Sequence, residues 1–308
     1  MSDLLVVGDV HVADGSPGWR TESYKSDILD KLVWIGDTAR SLGARVVFTG
    51  DLFHSKRSVS FRLINDLIRV FAGYPSVPGV VVGNHDVVHD RVDKADESPI
   101  GVLAAAGSVV LCCDPSGGVL EGFEPGVVGF AYSPKFSAGS LAGDWGCPIA
   151  VMHFGLTPEP FPYATVDTSS CENPSGFEFI VAGHIHDDLG VWQWGSSTCV
   201  SLGSISRGSW TSDTRVRIPR IAHFSFDAAG VLSLSTIEVP VRPVDDVFRV
   251  DEVTEAKAAR SSSVEFARAL SESRVSVMSS QEVVNIISRQ GVEEPVKERA
   301  SEAVRSSS

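Results

Sequence analysis

The segment LLVVGDVH (4–11) joins four apolar residues to a glycine, an aspartate and a histidine. Short apolar runs rich in β-branched residues are typical of buried strands. In sheets flanked by helices, ligands bind at the carboxyl ends of the strands. Four further segments place polar residues after an apolar run in the same way, and we expect all five to meet at one edge of the fold. These segments are RVVFTGDLFH (45–54), GVVVGNHD (79–86), PIAVMHFG (148–155) and FIVAGHIH (179–186).

Strand and helix patterns alternate in the first half of the chain. Strands are predicted at 4–8, 45–49 and 78–82, and helices at 23–42, 58–73 and 98–106. Such alternation indicates right-handed crossovers and a partly parallel sheet. Strand patterns dominate from residue 108 onward, which predicts a second, mixed sheet stacked on the first. We therefore predict an α/β fold of two stacked mixed β-sheets flanked by helices, an α/β/β/α sandwich. The later strands are predicted at 108–112, 126–132, 148–152, 177–182, 189–194, 198–202, 220–226 and 231–238.

The five segments supply carboxylate, imidazole and amide side chains, which suit divalent ions such as Mn²⁺. Two such ions close together activate a water molecule and neutralise a phosphate group. We therefore predict two divalent ions per chain, with Mn²⁺ the expected metal, and hydrolysis of a phosphoester. Asp51 is the predicted bridge between the ions, and His85, which is not needed as a ligand, is a candidate for protonating the leaving oxygen. The predicted ligands are Asp9, His11 and His186 for the first ion, and Asn84, His153 and His184 for the second.

The segments, their order and their positions after strands resemble the calcineurin-like metallophosphoesterase superfamily over about residues 3–240. Within it, GDLFHSKRSVS (50–60) and GNHD (83–86) resemble the SbcD-type DNA-repair nucleases, which work with an SbcC-like ABC-type ATPase that carries a coiled coil. The segment SLGSISRGSW (201–210) is more weakly similar to the same nucleases. The resemblance implies a metal-dependent DNA exonuclease and endonuclease of a repair or recombination complex. It also implies that His54 assists the catalytic histidine, here His85.

Charge gives a mixed indication about a DNA substrate. The net charge of −13 argues against indiscriminate binding to a polyanion. Local basic residues could still contact phosphates beside the active site. Lys56, Arg57 and Arg207 are the candidates for substrate binding, and the alternative is that they belong to solvated loops.

The composition changes after about residue 244 to serine, glutamate and arginine with helical spacing. We predict a nuclease domain at 1–244 and a short C-terminal helical segment at 245–308. The resemblance implies that this segment docks the ATPase partner. The alternatives are a helix packed on its own core or a frayed tail. The sequence leaves open whether the chain forms a homodimer.

No apolar run is long enough to span a membrane, and the chain enters a strand immediately, without room for a signal peptide. Five cysteines, an odd number without zinc-binding spacing, indicate reduced thiols. These features predict a cytoplasmic protein without a membrane partner. The compact length and low lysine content suggest a short, phage-encoded form.

Two other functions stay open at the level of sequence. The first is a small-molecule phosphodiesterase or phosphatase of the same superfamily, because the metal-binding segments do not separate the two. The second is an inactive scaffold for partner assembly, which the complete set of candidate ligands argues against.

Overall fold

The computed structural model describes residues 2–57, 59–163, 165–209, 211–249, 297–299 and 301–302, without the side chains of residues 212 and 213. Within these residues the strands are β1 (Leu4–Val7), β2 (Arg45–Phe48), β3 (Gly79–Val81), β4 (Val110–Cys112), β5 (Gly118–Val119), β6 (Val127–Phe130), β7 (Ile149–Met152), β8 (Leu156–Thr157), β9 (Val166–Asp167), β10 (Phe179–Ala182), β11 (Gly190–Trp194), β12 (Ser197–Ser201), β13 (Arg220–Phe226) and β14 (Leu232–Glu238). The α-helices are α1 (Tyr24–Leu42), α2 (Phe61–Ala72), α3 (Pro99–Ala105), α4 (Ser212–Val216) and α5 (Val244–Val247). Short 3-10 helices lie at Val88–Asp90, Val92–Glu97 and Ala138–Leu141.

Two mixed six-stranded sheets form the body of the fold. The first has the order β14-β13-β1-β2-β3-β4, and β1 to β4 run parallel while β13 and β14 are antiparallel. The second has the order β11-β12-β10-β7-β6-β5, with β6, β7, β10 and β12 parallel. Strands β8 and β9 pair separately. The predicted sandwich of two stacked mixed sheets is confirmed.

The side chains of each strand alternate between two layers of the core. Leu4 and Val6 pack with Ile149 and Val181 of the second sheet, which fills the space between the sheets. Leu5 and Val7 point the other way, into the core formed with α1, α2 and α3. The outer face of the second sheet is covered by loops and by the short helix at Ala138–Leu141. Helices therefore cover the first sheet, and loops cover most of the second.

The ends of the two long helices have local causes. Helix α2 begins after Ser60, whose side chain accepts a hydrogen bond from the backbone N–H of Leu63. Helix α1 ends at Gly43, which adopts a left-handed conformation with φ of 63° and returns its N–H to the carbonyl oxygens of Ala39 and Arg40.

The structure differs from the sequence-based expectation in how the later strands are distributed between the two sheets. We expected the strands after residue 108 to form the second sheet, but β4, β13 and β14 belong to the first. Strand β4 follows a parallel crossover from β3 through α3, and β13 returns to pair with β1. Such pairings join residues far apart in sequence, and local patterns do not encode them.

The chain divides into two compact units, Met1–Phe248 and Arg249–Ser308. The C-terminal helices and the docking role predicted from sequence fall almost entirely outside the described residues. In the part of the chain that the structure describes, no helix has the length and apolar character needed to cross a bilayer.

Candidate metal centre

The predicted metal ligands follow the carboxyl ends of five parallel strands and form two clusters. In the first cluster, the Nε2 atom of His11 lies 2.8 Å from Nε2 of His186, 3.8 Å from Oδ2 of Asp9 and 3.7 Å from Oδ2 of Asp51. The Nε2 atom of His186 lies 3.6 Å from Oδ2 of Asp9. Ligand atoms about 2.1 Å from a shared ion stand at most roughly 4.2 Å apart. These separations are therefore compatible with one ion.

The second cluster is built around His153. Its Nε2 atom lies 3.3 Å from Oδ2 of Asp51 and 3.2 Å from Oδ1 of Asn84. His184 offers a ring nitrogen within 4.8 Å of the Asp51 and His153 ligand atoms. Asp51 is thus a member of both clusters. The structure brings all seven predicted ligands together, and their binding of metal stays a prediction.

The floor of the centre is buried and its rim is open. Asp9 and His153 are fully buried, and Asp51 is 1% exposed. The side chain of His186, by contrast, is 51% exposed. A substrate can therefore reach the centre from the side of His186, while carboxylates held in the low-dielectric interior keep a strong attraction for cations.

Three of the candidate ligands have strained backbones. His11, Asp51 and His184 adopt positive φ angles of 52°, 47° and 73°. Such angles are uncommon outside glycine and cluster at functional sites, where surrounding contacts hold them in place. Here the turns direct consecutive polar side chains toward the two clusters.

Close packing explains two glycines of the polar segments. A Cβ at Gly183 would lie 2.7 Å from Oδ1 of Asp9, and one at Gly83 would collide with the Asp51 carboxylate. Both glycines therefore make room for a candidate ligand from another segment, which ties segment 179–186 to 4–11 and segment 79–86 to 45–54 sterically.

Electrostatics within the second cluster favour an ion pair in the metal-free chain. Burial would lower the pKa of His153, but the Asp51 carboxylate, with smaller contributions from Asp9 and Asp86, outweighs it and raises the pKa to about 9. Burial would likewise raise the pKa of Asp51, but His153 holds it well below its ordinary value. Burial lowers the pKa of His11 to about 4, so this imidazole is neutral at pH 7. His153 thus carries a proton where a divalent ion would place its charge.

The donor set fits divalent ions because neutral imidazole, carboxylate and amide oxygen donors lie close to one another. In the metal-free chain the Nε2 atoms of His11 and His186, 2.8 Å apart, share one proton as a hydrogen bond, and a metal ion can take the place of that proton. Carboxylate, imidazole and amide oxygen ligands are shared by Mn²⁺, Fe²⁺ and Zn²⁺ sites. The Nδ1 atom of His153 lies 3.0 Å from the carbonyl oxygen of Thr49, which fixes the ring with Nε2 toward Asp51.

The two predicted catalytic histidines lie beside the first cluster. The rings of His85 and His54 are centred 5.1 Å and 5.8 Å from the ring of His11. The Nδ1 atom of His85 lies 2.9 Å from the carbonyl oxygen of His54, and an N–H there is the donor. This contact leaves Nε2 of His85 as the nitrogen that can exchange a proton with a substrate.

Sequence reasoning did not assign a role to Asp86. Its buried carboxylate accepts hydrogen bonds from the backbone N–H of Phe53 at 3.1 Å and of Gly83 at 3.0 Å. Asp86 therefore links the loops that carry Asp51 and Asn84. Asp86 is the last residue of the segment GNHD. The sequence alone does not distinguish an aspartate that accepts hydrogen bonds from the backbone from one that binds a metal ion.

The candidate substrate-binding residues lie in two different environments. Lys56 and Arg57 line an open groove of about 700 Å³ with His89 and Asp90. Lys56 pairs with Asp90 at 2.8 Å, and Arg57 contacts His89 at 3.3 Å. Arg207, which the sequence suggested could be a solvated loop residue, is only 3% exposed.

Comparisons with known proteins find distant structural likeness only. No protein-family model matches the sequence, and no curated protein matches it. The chain is similar to a 5'-nucleotidase precursor from Thermus thermophilus, with 13% identity and a TM-score of 0.44 over 86% of this chain and 59% of that one. It therefore spans about three fifths of that nucleotidase. A hypothetical protein from the same organism has 13% identity and a TM-score of 0.45 over 77% of this chain and 100% of that one. Vps29 of Chaetomium thermophilum has 12% identity and a TM-score of 0.33 over 78% and 97% of the two chains.

At these values the functional argument depends on the geometry of the chain itself. Its fold is a sandwich of two mixed six-stranded sheets. At one end of this sandwich, buried aspartates and buried to half-exposed histidines converge in two overlapping groups that could each hold a metal ion.

Proposed function

We propose that the protein is a metal-dependent phosphodiesterase with a dinuclear centre. One observation carries this proposal: the Asp51 carboxylate belongs to both ligand clusters, so two ions that it bridges would lie close together. When bound, such a pair of divalent ions lowers the pKa of a water molecule and neutralises the charge of the phosphate.

The residues of the chain have separable roles in this reaction. Asp9, His11 and His186 would hold one ion, Asn84, His153 and His184 would hold the other, and Asp51 would contribute to both. His85 holds a proton at Nε2 for the leaving oxygen, because its Nδ1–H is engaged by the carbonyl oxygen of His54. His54 thereby acts through the orientation of His85.

We further propose DNA as the substrate, in the manner of an SbcD-type nuclease subunit. Lys56 and Arg57 follow directly after His54 and line the open groove next to it. Cationic side chains at such a position can contact phosphates on either side of a scissile bond. The motif resemblance of residues 50–60 and 83–86 supports the same choice of substrate.

An ATPase partner completes this proposal. Residues 245–308 would dock an SbcC-like ABC-type ATPase. Pull-down of that ATPase by the full chain, and not by a chain ending at Arg249 that keeps its phosphodiesterase activity, is the expected result. Equal binding by both forms would place the docking surface elsewhere.

A small-molecule phosphodiesterase or phosphatase is the second candidate. The net charge of −13 favours it, because a protein with this charge gains little from general attraction to a polyanion. A Mn²⁺-loaded protein should be compared on hairpin DNA, duplex ends, bis-p-nitrophenyl phosphate and 5'-nucleotides. We expect metal-dependent turnover of DNA and of the diester. Efficient turnover of nucleotides with intact DNA would instead support the second candidate, and no turnover of any of these substrates would exclude both.

A further inference from the structure

A small cavity of about 150 Å³ opens beside the first metal cluster. Its lining includes His11, His186, His54 and His85 of the candidate centre, together with Arg207 and Thr214. None of Asn84, His153 and His184 is among the described residues that line it. The cavity therefore extends from the first cluster away from the second. Pockets for drug-sized ligands occupy about 300–1,000 Å³, so this one fits a chemical group better than a whole nucleoside.

Buried cationic side chains surround Arg207 on the side away from solvent, and Arg217 and Asp187 are the other charged residues apart from the histidines that line the cavity. Arg20, Lys31 and Arg207 are each at most 3% exposed. Asp27 contacts the first two, at 2.8 Å from Arg20 and 3.3 Å from Lys31. Arg207 forms no ion pair within the described part of the chain. Buried charge without a counterion is costly, so an anion next to this group would be favourable.

Two of the three guanidinium nitrogens of Arg207 donate hydrogen bonds to the backbone, which holds the group in place. Its Nε donates to the carbonyl oxygen of Thr214 at 2.9 Å, and its Nη1 donates to that of Arg242 at 3.2 Å. Its Nη2 has no hydrogen-bond partner among the described residues. The backbone of Arg207 is fixed as well, because its carbonyl oxygen accepts a bond from Arg20 at 3.2 Å. A pre-positioned guanidinium loses little entropy when it binds an oxyanion.

We infer that this cavity is a subsite for a second phosphate group of the substrate, adjacent to the phosphate that is hydrolysed. This inference depends on the proposed phosphodiesterase function and adds a substrate class to it. The substrate carries at least two phosphates, one over the metal clusters and one against Arg207. A polynucleotide strand supplies such a group as its next internal phosphate, and a short nucleotide supplies it as a terminal phosphate.

Gly208 offers a way to test the subsite without altering Arg207. It lines the cavity, and a Cβ there would lie 3.4 Å from Oγ of Ser206 and 3.5 Å from the hydroxyl oxygen of Tyr24, which is ordinary contact. Gly208→Asp introduces a negative charge into the cavity. Gly208→Asn introduces nearly the same volume without charge and is its matched control.

The experiment measures kcat/KM with Mn²⁺ for the thymidine dinucleotide TpT, for its 5'-phosphorylated and 3'-phosphorylated forms, and for the trinucleotide TpTpT. We expect the wild-type protein to prefer at least one substrate with a second phosphate over TpT by at least tenfold. A gain for TpTpT alone identifies the internal phosphate of a strand, and a gain for a phosphorylated dinucleotide identifies a terminal phosphate. Gly208→Asp should reduce the preference to near one, and Gly208→Asn should keep most of it.

Equal kcat/KM values for all four substrates with the wild-type protein would overturn the subsite, as would an undiminished preference in Gly208→Asp. The wild-type comparison decides the matter even if the variants fold poorly. Failure of the proposed function looks different, because neither TpT nor bis-p-nitrophenyl phosphate would then be hydrolysed.

Discussion

The Nε2 atoms of His11 and His186 lie 2.8 Å apart, although the two residues are separated by 175 positions in the chain. The Oδ2 atom of Asp9 lies 3.8 Å from the first and 3.6 Å from the second. Two imidazole nitrogens and a carboxylate oxygen in this arrangement are close enough to bind the same cation.

Replacing Asp51 with asparagine should remove the negative charge common to both clusters. We expect Asp51→Asn to bind fewer than two Mn²⁺ ions per chain and to lose at least about 100-fold in turnover of bis-p-nitrophenyl phosphate, more than a change outside the ligand set causes. Metal analysis after gel filtration and steady-state kinetics check this. Asp37→Asn, at an exposed position of α1, is the matched control. Two bound ions and near-normal turnover in Asp51→Asn would refute the bridging role.

His85→Ala should keep both metal ions and lose activity according to the leaving group. We expect a loss of about 10²–10⁴-fold on TpT, whose alkoxide needs a proton. On bis-p-nitrophenyl phosphate the loss should be much smaller, because nitrophenolate leaves unprotonated. His223→Gln, in strand β13 and outside both clusters and the groove, is the control. An equal loss on both substrates would argue that His85 stabilises the transition state without protonating the leaving oxygen.

Metal binding through His153 should strengthen as the pH rises. Burial opposes the proton on His153, but Asp51 raises its pKa to about 9 in the metal-free chain, and a metal ligand must be neutral. Between pH 7 and 9 the logarithm of the affinity should therefore increase by about one per pH unit. Calorimetry in buffers of different ionisation enthalpy should detect about one proton released per chain at pH 7. The control variant His223→Gln should release the same number of protons on metal binding. If the wild-type protein released no proton at pH 7, the assignment of this proton to His153 would be wrong.

Asp86→Ala should destabilise the fold and disturb the centre indirectly. Two buried backbone N–H groups, of Phe53 and Gly83, would lose their acceptor. Each such loss costs about 1–3 kcal/mol in the free energy of unfolding. Denaturation without metal should show this loss, and Asp37→Ala at an exposed position of α1 should not. Unchanged stability of Asp86→Ala would mean that water replaces the carboxylate.

Arg57→Glu should weaken DNA binding and reduce its dependence on salt. Each phosphate contact contributes about 0.9 to the slope of log K against log salt concentration for duplex DNA. We expect the magnitude of this slope to fall by about 0.9, which corresponds to the loss of one phosphate contact. Fluorescence anisotropy in the presence of Ca²⁺, which replaces Mn²⁺ to prevent cleavage, measures it. Arg69→Glu on α2 is the control. An unchanged slope in Arg57→Glu would remove this arginine from the path of the DNA.

The local patterns of the sequence determined the elements and the set of candidate ligands. Four-residue apolar runs predicted β1, β2, β7 and β10, and the spacing of apolar residues predicted α1 and α2. The polar residues after the strands were sufficient to propose seven ligands, because parallel strands bring their carboxyl ends to one edge.

Only the tertiary structure decided the strand order, the burial of Arg207 and the role of Asp86. The pairing of β13 with β1 joins residues more than 200 positions apart, and the packing of Arg207 depends on Arg20 and Arg242 from distant segments. An arginine in a serine-rich loop and an aspartate after a histidine look the same in sequence whether they face water or the interior. Burial decides their energetics, and burial is a property of contacts between segments that periodicity and local spacing cannot specify.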